Sequence, residues 1–170
     1  MDLIVTLGLF GVILVAAMPA ALSTVRTYYR NGAARHVLAE IRRVQSLAVT
    51  RRGIYGYQWG GDAAVTKLPS EYRIVRDATG ACGVPAENDP ADGVAVVTGW
   101  TDLTDSWPGV TIESIVDSAA QDVAGVMFDS RGRALHTCAA VTYPVRVTVA
   151  GAEGLTRVIE VQLSGGTRLL

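Results

Sequence analysis

Between Asp2 and Arg26 the chain carries no charged side chain, an uncharged run of 23 positions. Leu3, Ile4, Val5, Leu7, Leu9, Phe10, Val12, Ile13, Leu14, Val15 and Met18 dominate it. A bilayer core of about 30 Å is crossed by about 20 apolar residues rising 1.5 Å each, so the run is long enough to span. A cleaved secretory signal is the rival reading, with Ala16, Ala17 and Ala20 as small residues for a cleavage site. The run has no basic segment before it and is longer than the apolar part of such signals, which favours a retained membrane helix. Two of its residues are unusual for a plain anchor. Asp2 places a carboxylate beside hydrocarbon, where an ionisable group is costly. Pro19 removes a backbone hydrogen bond and is expected to kink or loosen the helix.

Helical periodicity continues past this run. Val37, Ile41, Val44 and Ala48 fall at i, i+4, i+7 and i+11, one apolar stripe that Leu38 and Leu47 widen. Arg35, Arg42 and Arg43 lie off the stripe. Asn31-Gly32 is a possible interruption, and Gly53, after Arg51 and Arg52, is the better stop. The expectation is one helix from about residue 2 to 52, roughly 75 Å long. Residues 1–25 form its transmembrane half and residues 26–53 its amphipathic half.

From Ile54 the pattern is that of strands. Short runs rich in Val, Ile, Tyr and Thr are punctuated by Gly and Pro, with candidates at Ile54–Trp59, Tyr72–Arg76, Val94–Gly99, Val110–Val116 and Gly125–Phe128. Val145–Ala150 and Leu155–Leu163 read as a hairpin around Gly151–Gly154. Val145, Val147 and Val149 alternate with Arg146 and Thr148, whereas the second arm alternates less cleanly, as if both its faces were partly covered. The expected fold class is α+β: a long N-terminal helix packed on an antiparallel sheet or sandwich, with residues 54–170 as a β-rich head.

Charge is segregated along the chain. A net charge of −1 excludes a generally basic nucleic-acid wrapper. Residues 26–53 nonetheless hold seven Arg against Glu40, and residues 78–130 hold nine acids with no Lys or Arg. The Arg group reads as a solvated face with lipid-headgroup contact, or as a surface for an anionic partner or a neighbour's acids. Applied to this chain alone, the positive-inside rule would put the Arg-rich side in the cytoplasm.

Signs of catalysis are missing from the motif inventory. No Gly-rich phosphate loop and no Gly-x-Ser-x-Gly elbow occurs, so the chain is expected not to be an enzyme and to need no cofactor. His36 and His136 are solitary and read as packing or surface residues. Glu87, Asn88, Asp89 and Asp92 invite a calcium reading, but Pro90 falls where a ligand is needed, so no metal site is expected. Asp62, Asp102 and Asp105 read as turn residues. Cys82 and Cys138 would form a structural disulfide outside the cytoplasm, or remain two buried thiols.

The acid at Asp2, with Gly11 nine residues later and Pro19 eight beyond, resembles the N-terminus of type IV pilins and type II secretion pseudopilins. The stretch Ala33, Ala34, Arg35 through Leu38, Ile41, Arg42, Arg43, Gln45, Ala48, Arg51, Arg52 and Gly53 is similar to the GspH/FimT group of minor pilins. So are Val126–Arg133, a strand entering a tight turn, and the closing Gly165, Gly166, Thr167, Arg168 and Leu169. The resemblance is strongest over residues 2–53 and loose between 60 and 120.

It implies a structural subunit that assembles into, primes or caps a filament with other pilins, and that rests in the inner membrane beforehand with its head in the periplasm. It also implies a basic leader removed by a prepilin peptidase and a methylated new N-terminus. The mature start would lie four residues before the acid, upstream of Met1, and the leader would reconcile the charge rule with an outward head. In such assemblies the acid meets the N-terminal amine of an adjoining subunit. Asp2 is shorter in reach than the usual glutamate. Asp2, Gly11 and Pro19 are therefore the expected assembly residues. Some members of the group bind DNA through a C-terminal Gly-Arg-x-Arg stretch, of which Gly165-Gly166-Thr167-Arg168 keeps the second arginine. Arg131, Arg133 and Arg168 are the DNA-contact candidates, with Arg146 or Arg157 as possible neighbours. A single-pass anchored domain unrelated to filaments is the third reading.

Overall fold

The structure is a computed structural model that describes residues 2–61, 67–77, 94–135, 141–151 and 154–170, without the side chains of residues 2–12, 14, 16 and 94. One helix, α1 (Asp2–Thr50), is followed by β1 (Ile54–Trp59), β2 (Glu71–Asp77), β3 (Val94–Val96), β4 (Thr101–Asp102), β5 (Thr111–Val116), β6 (Gly125–Phe128), β7 (Val145–Ala150), β8 (Thr156–Val161) and β9 (Thr167–Leu169). The strands form two antiparallel sheets, one in the order β3-β2-β1-β6 with β4 also on β2, the other β5-β7-β8-β9. The fold is α+β, a long helix laid across both sheets.

The apolar stripe is what α1 buries. Val37, Ile41, Val44 and Ala48 are fully buried together with Ala33 and Ala34, and Leu38 and Leu47 flank them half-buried. The two alanines let the backbone of α1 approach the sheets closely at the head of the stripe. Beneath it lie Tyr55, Tyr57, Trp59 and Phe128 from one sheet and Val145, Val147, Val149, Ile159 and Val161 from the other, in one continuous core. Burying each Val or Ile contributes up to about 1.5–3 kcal/mol.

Asn31-Gly32 does not interrupt the helix. A Cβ on Gly32 would overlap the Trp107 ring, so the glycine is the place where that ring lies on α1. Pro19 likewise lies inside uninterrupted helix. The stop differs from the expected one in detail. Arg52 takes the left-handed conformation at φ 47°, its N–H reaching Val49 O at 3.4 Å, and Gly53 N–H reaches back to Ala48 O at 3.1 Å. This is the paired 6→1 and 5→2 closure of a helix end, with Arg52 where glycine is usual and Gly53 one position later.

The expected hairpin is present, paired Val145↔Val161 through Ala150↔Thr156 with Gly154 at φ 70° in its turn, and its second arm is shorter than the expected Leu155–Leu163. Its odd arm has an explanation: Ile159 and Val161 enter the core while Glu160, on the other face, is also buried. Both faces of β1 are covered. Gln58 accepts from Arg73 Nε at 2.6 Å on the face away from α1, and the Arg73 guanidinium lies 4.6 Å from the Trp100 ring centre. The strand expected at Val94–Gly99 ends at Val96, because Val97 and Thr98 N–H both turn to Ile74 O. Strands β4 and β9 were not foreseen.

Arg52→Gly should remove the left-handed strain on a side-chain-bearing residue and raise stability by about 0.5–1 kcal/mol. Thermal unfolding of the full chain in detergent measures it, and a lower midpoint would show that the Arg52 side chain has a stabilising contact of its own.

Candidate assembly surface

Where its side chains are described, from Ile13 to Arg26, α1 stands clear of the head. Ile13, Val15, Met18, Leu22 and Val25 are between 45% and 75% exposed, and Pro19 lies among them on open helix. The hydroxyls of Ser23 and Thr24 both donate to Ala20 O at 2.9 Å, so the helix satisfies these polar groups internally. That arrangement suits an apolar surrounding. Asp2 and Gly11 belong to the same helix, and their surroundings lie outside the described side chains. Among the described residues no helix is long and apolar enough to cross a membrane; half of the uncharged run falls outside that description.

At the other end, α1 is tied to two glycine turns. Gln45 Nε2 donates to Gly132 O at 2.7 Å and to Gly165 O at 3.1 Å. A Cβ on Gly165 would overlap Gly132 O, so the turns touch backbone to backbone. One turn before Gln45, Arg42 donates to Thr167 Oγ1 at 3.0 Å and to Thr167 O at 3.2 Å. Nearer the start of the buried stretch, Arg157 Nε donates to Asn31 Oδ1 at 3.0 Å. Gln45 and Thr167 were not singled out as site residues. The available signal was a lone amide one position beyond Val44 of the stripe, which is close to a core position and polar.

The basic candidates are largely engaged inside the head. Asp129 Oδ1 accepts from Arg131 N at 2.8 Å and Arg133 N at 2.9 Å, while Oδ2 accepts from Arg133 Nε and Nη2 at 3.0 and 2.9 Å. Burial pushes the Asp129 carboxyl up, but these bonds outweigh it and hold it below the usual carboxylate range. Glu160 is 5% exposed and accepts from Arg168 Nη2 at 2.8 Å and Nε at 3.0 Å, with Arg146 Nε at 3.9 Å on its second oxygen. The register sets Glu160 opposite both Arg146 and Arg168. The structure therefore does not gather Arg133 and Arg168 into one free cationic track; each has its own carboxylate. Arg131 is exposed, and only its backbone N–H is bonded among the described contacts.

Other polar candidates hold the head together. His36 Nε2 meets Tyr72 Oη at 2.8 Å, and Tyr72 stacks on Tyr57 with ring centres 5.2 Å apart. Desolvation, aided by the Glu40 charge, pushes the Tyr72 phenol up to about 12, and burial raises Tyr57 well above its ordinary value. Neither is a candidate acid or base at neutral pH. Asp102 caps the 3₁₀ turn Leu103–Asp105 through Thr104 N at 2.8 Å, as a turn residue should. Asp117 is 3% exposed and accepts from Ala119 N, Gln121 N, Thr142 N and Thr142 Oγ1 at 2.9, 2.9, 3.1 and 2.9 Å. The backbone bonds from Gln121 and Thr142 hold its carboxyl below the ordinary range despite burial. Cys82, Cys138, His136, Asp62 and the acidic residues 87–92 lie outside the described residues. Among the described residues no group of three or more His, Cys, Asp or Glu is placed to hold a metal ion.

No protein-family model matches the chain, and no curated protein matches it in sequence. Solved structures do match. The type IV minor pilin FimU of Pseudomonas aeruginosa superposes with a TM-score of 0.53 at 17% identity, covering 83% of this chain and 87% of its own. A second crystal form of FimU gives a TM-score of 0.52 at 18% identity, over 82% and 91%. The minor pseudopilin EpsH from the type II secretion system of Vibrio cholerae gives a TM-score of 0.53 at 12% identity, over 86% and 95%. The chain has the fold of minor pilins and minor pseudopilins.

Two outcomes follow from the junction and the buried acid. Gln45→Ala strips Gly132 O and Gly165 O of their shared donor and should cost about 1–3 kcal/mol in thermal unfolding. The Asp117 carboxyl is depressed in the folded chain, so its stabilising effect is complete above an unfolded value near 3.9 and fades as pH falls through the lower folded value. Asp117→Asn should therefore unfold at lower temperature than the parent at pH 7, the gap narrowing as pH falls below about 4. A gap independent of pH would assign the loss to packing.

Proposed function

We propose that this chain is a non-enzymatic structural subunit, a minor pilin or minor pseudopilin that docks with other pilin-like subunits through the first half of α1. The observation that carries the reading is one unbroken helix with two different surfaces. Its second half is buried in a head of the minor-pilin fold, while Ile13, Val15, Met18, Leu22 and Val25 of its first half are exposed in a stretch whose sequence is uncharged back to Asp2. A rod of this kind is stable only in lipid or against similar helices, because water leaves its apolar surface unsatisfied.

On this reading the rod spans the inner membrane before assembly, with the head on the periplasmic side, and enters a filament afterwards. Asp2 pairs with the N-terminal amine of an adjoining subunit, since two opposite charges in an apolar setting lose far less solvation free energy together than apart. Gly11 and Pro19 shape the packing surface between. A prepilin peptidase trims the precursor and leaves a methylated terminus. DNA capture has weaker support, because Arg133 and Arg168 are already paired with Asp129 and Glu160. Phosphate contacts would have to displace those pairs.

Mass spectrometry of the N-terminal peptide from isolated membranes is the direct test. A methylated terminus a few residues upstream of Asp2 is expected; an unprocessed, unmethylated terminus overturns the pilin reading in favour of a plain anchored domain. Asp2→Ala should leave the chain in membranes but remove it from sheared or cross-linked filaments, whereas normal incorporation would release Asp2 from its assembly role.

A further inference from the structure

Two loops of the head meet α1 where the rod enters it, and a third is bonded to one of them. Tyr28 is 66% exposed, and its ring centre lies 6.3 Å from that of Trp107, which lies in turn on Gly32. Trp107 is only half-buried, and Pro108 beside it is exposed. The segment carrying Trp107 is bonded to a second loop, since Leu103 N–H reaches Ser70 O at 2.9 Å and Ile112 N–H reaches Pro69 O at 3.1 Å. That loop exposes Leu68 at 61%. The other loop that meets α1 is the β7–β8 turn. A Cβ on Gly151 would lie 3.4 Å from Arg30 Cβ, and Gly151 N–H bonds Leu155 O at 3.0 Å, with Leu155 48% exposed. Large apolar side chains are thus exposed on the two loops at the exit of the rod, near Arg26 and Arg30 of α1, and on the loop bonded to the Trp107 segment, where Lys67 precedes Leu68. Asp105 is the exposed acid of the Trp107 segment.

We propose that this end of the head is a lipid-docking face: Tyr28, Trp107, Leu68 and Leu155 sit in the headgroup layer of the bilayer that the rod spans. The inference rests on the membrane placement proposed above and adds to it a seat for the head. The length of the rod supplies the argument. Counting about 20 residues for the hydrocarbon from residue 3 brings its far boundary to about residues 22–25. Tyr28 then lies about 5 Å beyond Val25, inside a headgroup layer of roughly 5–7 Å on each side, and Trp107 spans the next turn of α1. Tyr28 suits that layer because it carries an exposed apolar ring with a polar handle, Trp107 offers the open part of a ring whose Nε1 is buried, and Arg and Lys extend their charged ends into the layer. Leu22 and Val25, both exposed, precede Tyr28 at three-residue steps and continue the apolar face onto the rod, with Ser23, Thr24 and Arg26 exposed beside them. Before assembly the face holds the head upright on the membrane; extraction of the subunit must peel it away.

The test is depth-resolved fluorescence quenching on the full chain in vesicles of phosphatidylethanolamine and phosphatidylglycerol. In Trp59→Phe/Trp100→Phe, the remaining Trp107 should be quenched about twofold more by headgroup spin labels than by labels deep in the acyl chain. Should that double substitution unfold the head, the wild-type and Trp107→Phe chains are compared instead, and the difference in quenchable fluorescence belongs to Trp107. A companion chain, Val15→Trp in the Trp59→Phe/Trp100→Phe/Trp107→Phe background, reports on the rod and should be quenched best from the deep position. No quenching of Trp107 alongside deep quenching of the companion overturns the docking face and leaves the membrane placement standing. Preferential deep quenching of Trp107 overturns the headgroup seat. No quenching of either overturns both.

Discussion

The burial of one stripe of α1 holds the head together. The two sheets have separate hydrogen-bonded ladders, and α1 touches β1 and β6 of one and β7, β8 and β9 of the other. Ala33, Ala34, Val37, Ile41, Val44 and Ala48 are the surface on which both sheets close. A domain is stable by only about 5–15 kcal/mol, so the several kcal/mol contributed by this stripe decide whether two small sheets share a core at all. The helix is the common wall of the head rather than an appendage to it.

The same helix is built for two surroundings, and periodicity separates them. Residues 3–25 are uncharged on every side, whereas residues 33–48 confine their apolar side chains to one face and place Arg35, Arg42 and Arg43 on the others. A uniform surface can rotate against lipid without losing burial. A striped one has a single productive orientation. The change between Arg26 and Ala33 therefore fixes the rotation of the head relative to a rod that lipid alone leaves free to turn.

Much of this was legible in the chain because it is local. The stripe, the alternation of Val145, Val147 and Val149, and the strands at Ile54–Trp59 and Gly125–Phe128 follow from side-chain period alone. What escaped depends on partners far along the chain. Gly32 reads as a helix breaker until Trp107, 75 positions later, is seen lying on it. Strand β9 is short and follows two glycines; it pairs with β8, and Glu160 and Arg42 bond Arg168 and Thr167 beside it. Arg168 and Arg133 look like free cations in one dimension; the register that places Glu160 opposite Arg168, and the turn that folds Asp129 onto Arg133, are tertiary facts. The helix ends at Thr50, two residues before the end its sequence suggests, and its left-handed residue is Arg52 rather than Gly53.

The length of α1 links the two ends of the molecule. Forty-nine residues rise about 73 Å, and the bonds of Arg42 and Gln45 to the C-terminal strand and turns lie near its far end. Neither Pro19 nor Gly32 breaks the rod, so there is no hinge between the apolar half and the Gln45 junction. A subunit held by lateral packing of its first half would carry the glycine turns at Gly132 and Gly165 to a defined height and angle. Those turns meet backbone to backbone, and Arg133 and Arg168 beside them are paired within the head, while the Arg131 side chain is exposed. A neighbour that meets this end therefore finds a surface defined largely by shape. Recognition there would depend strongly on how accurately the rod positions the turns.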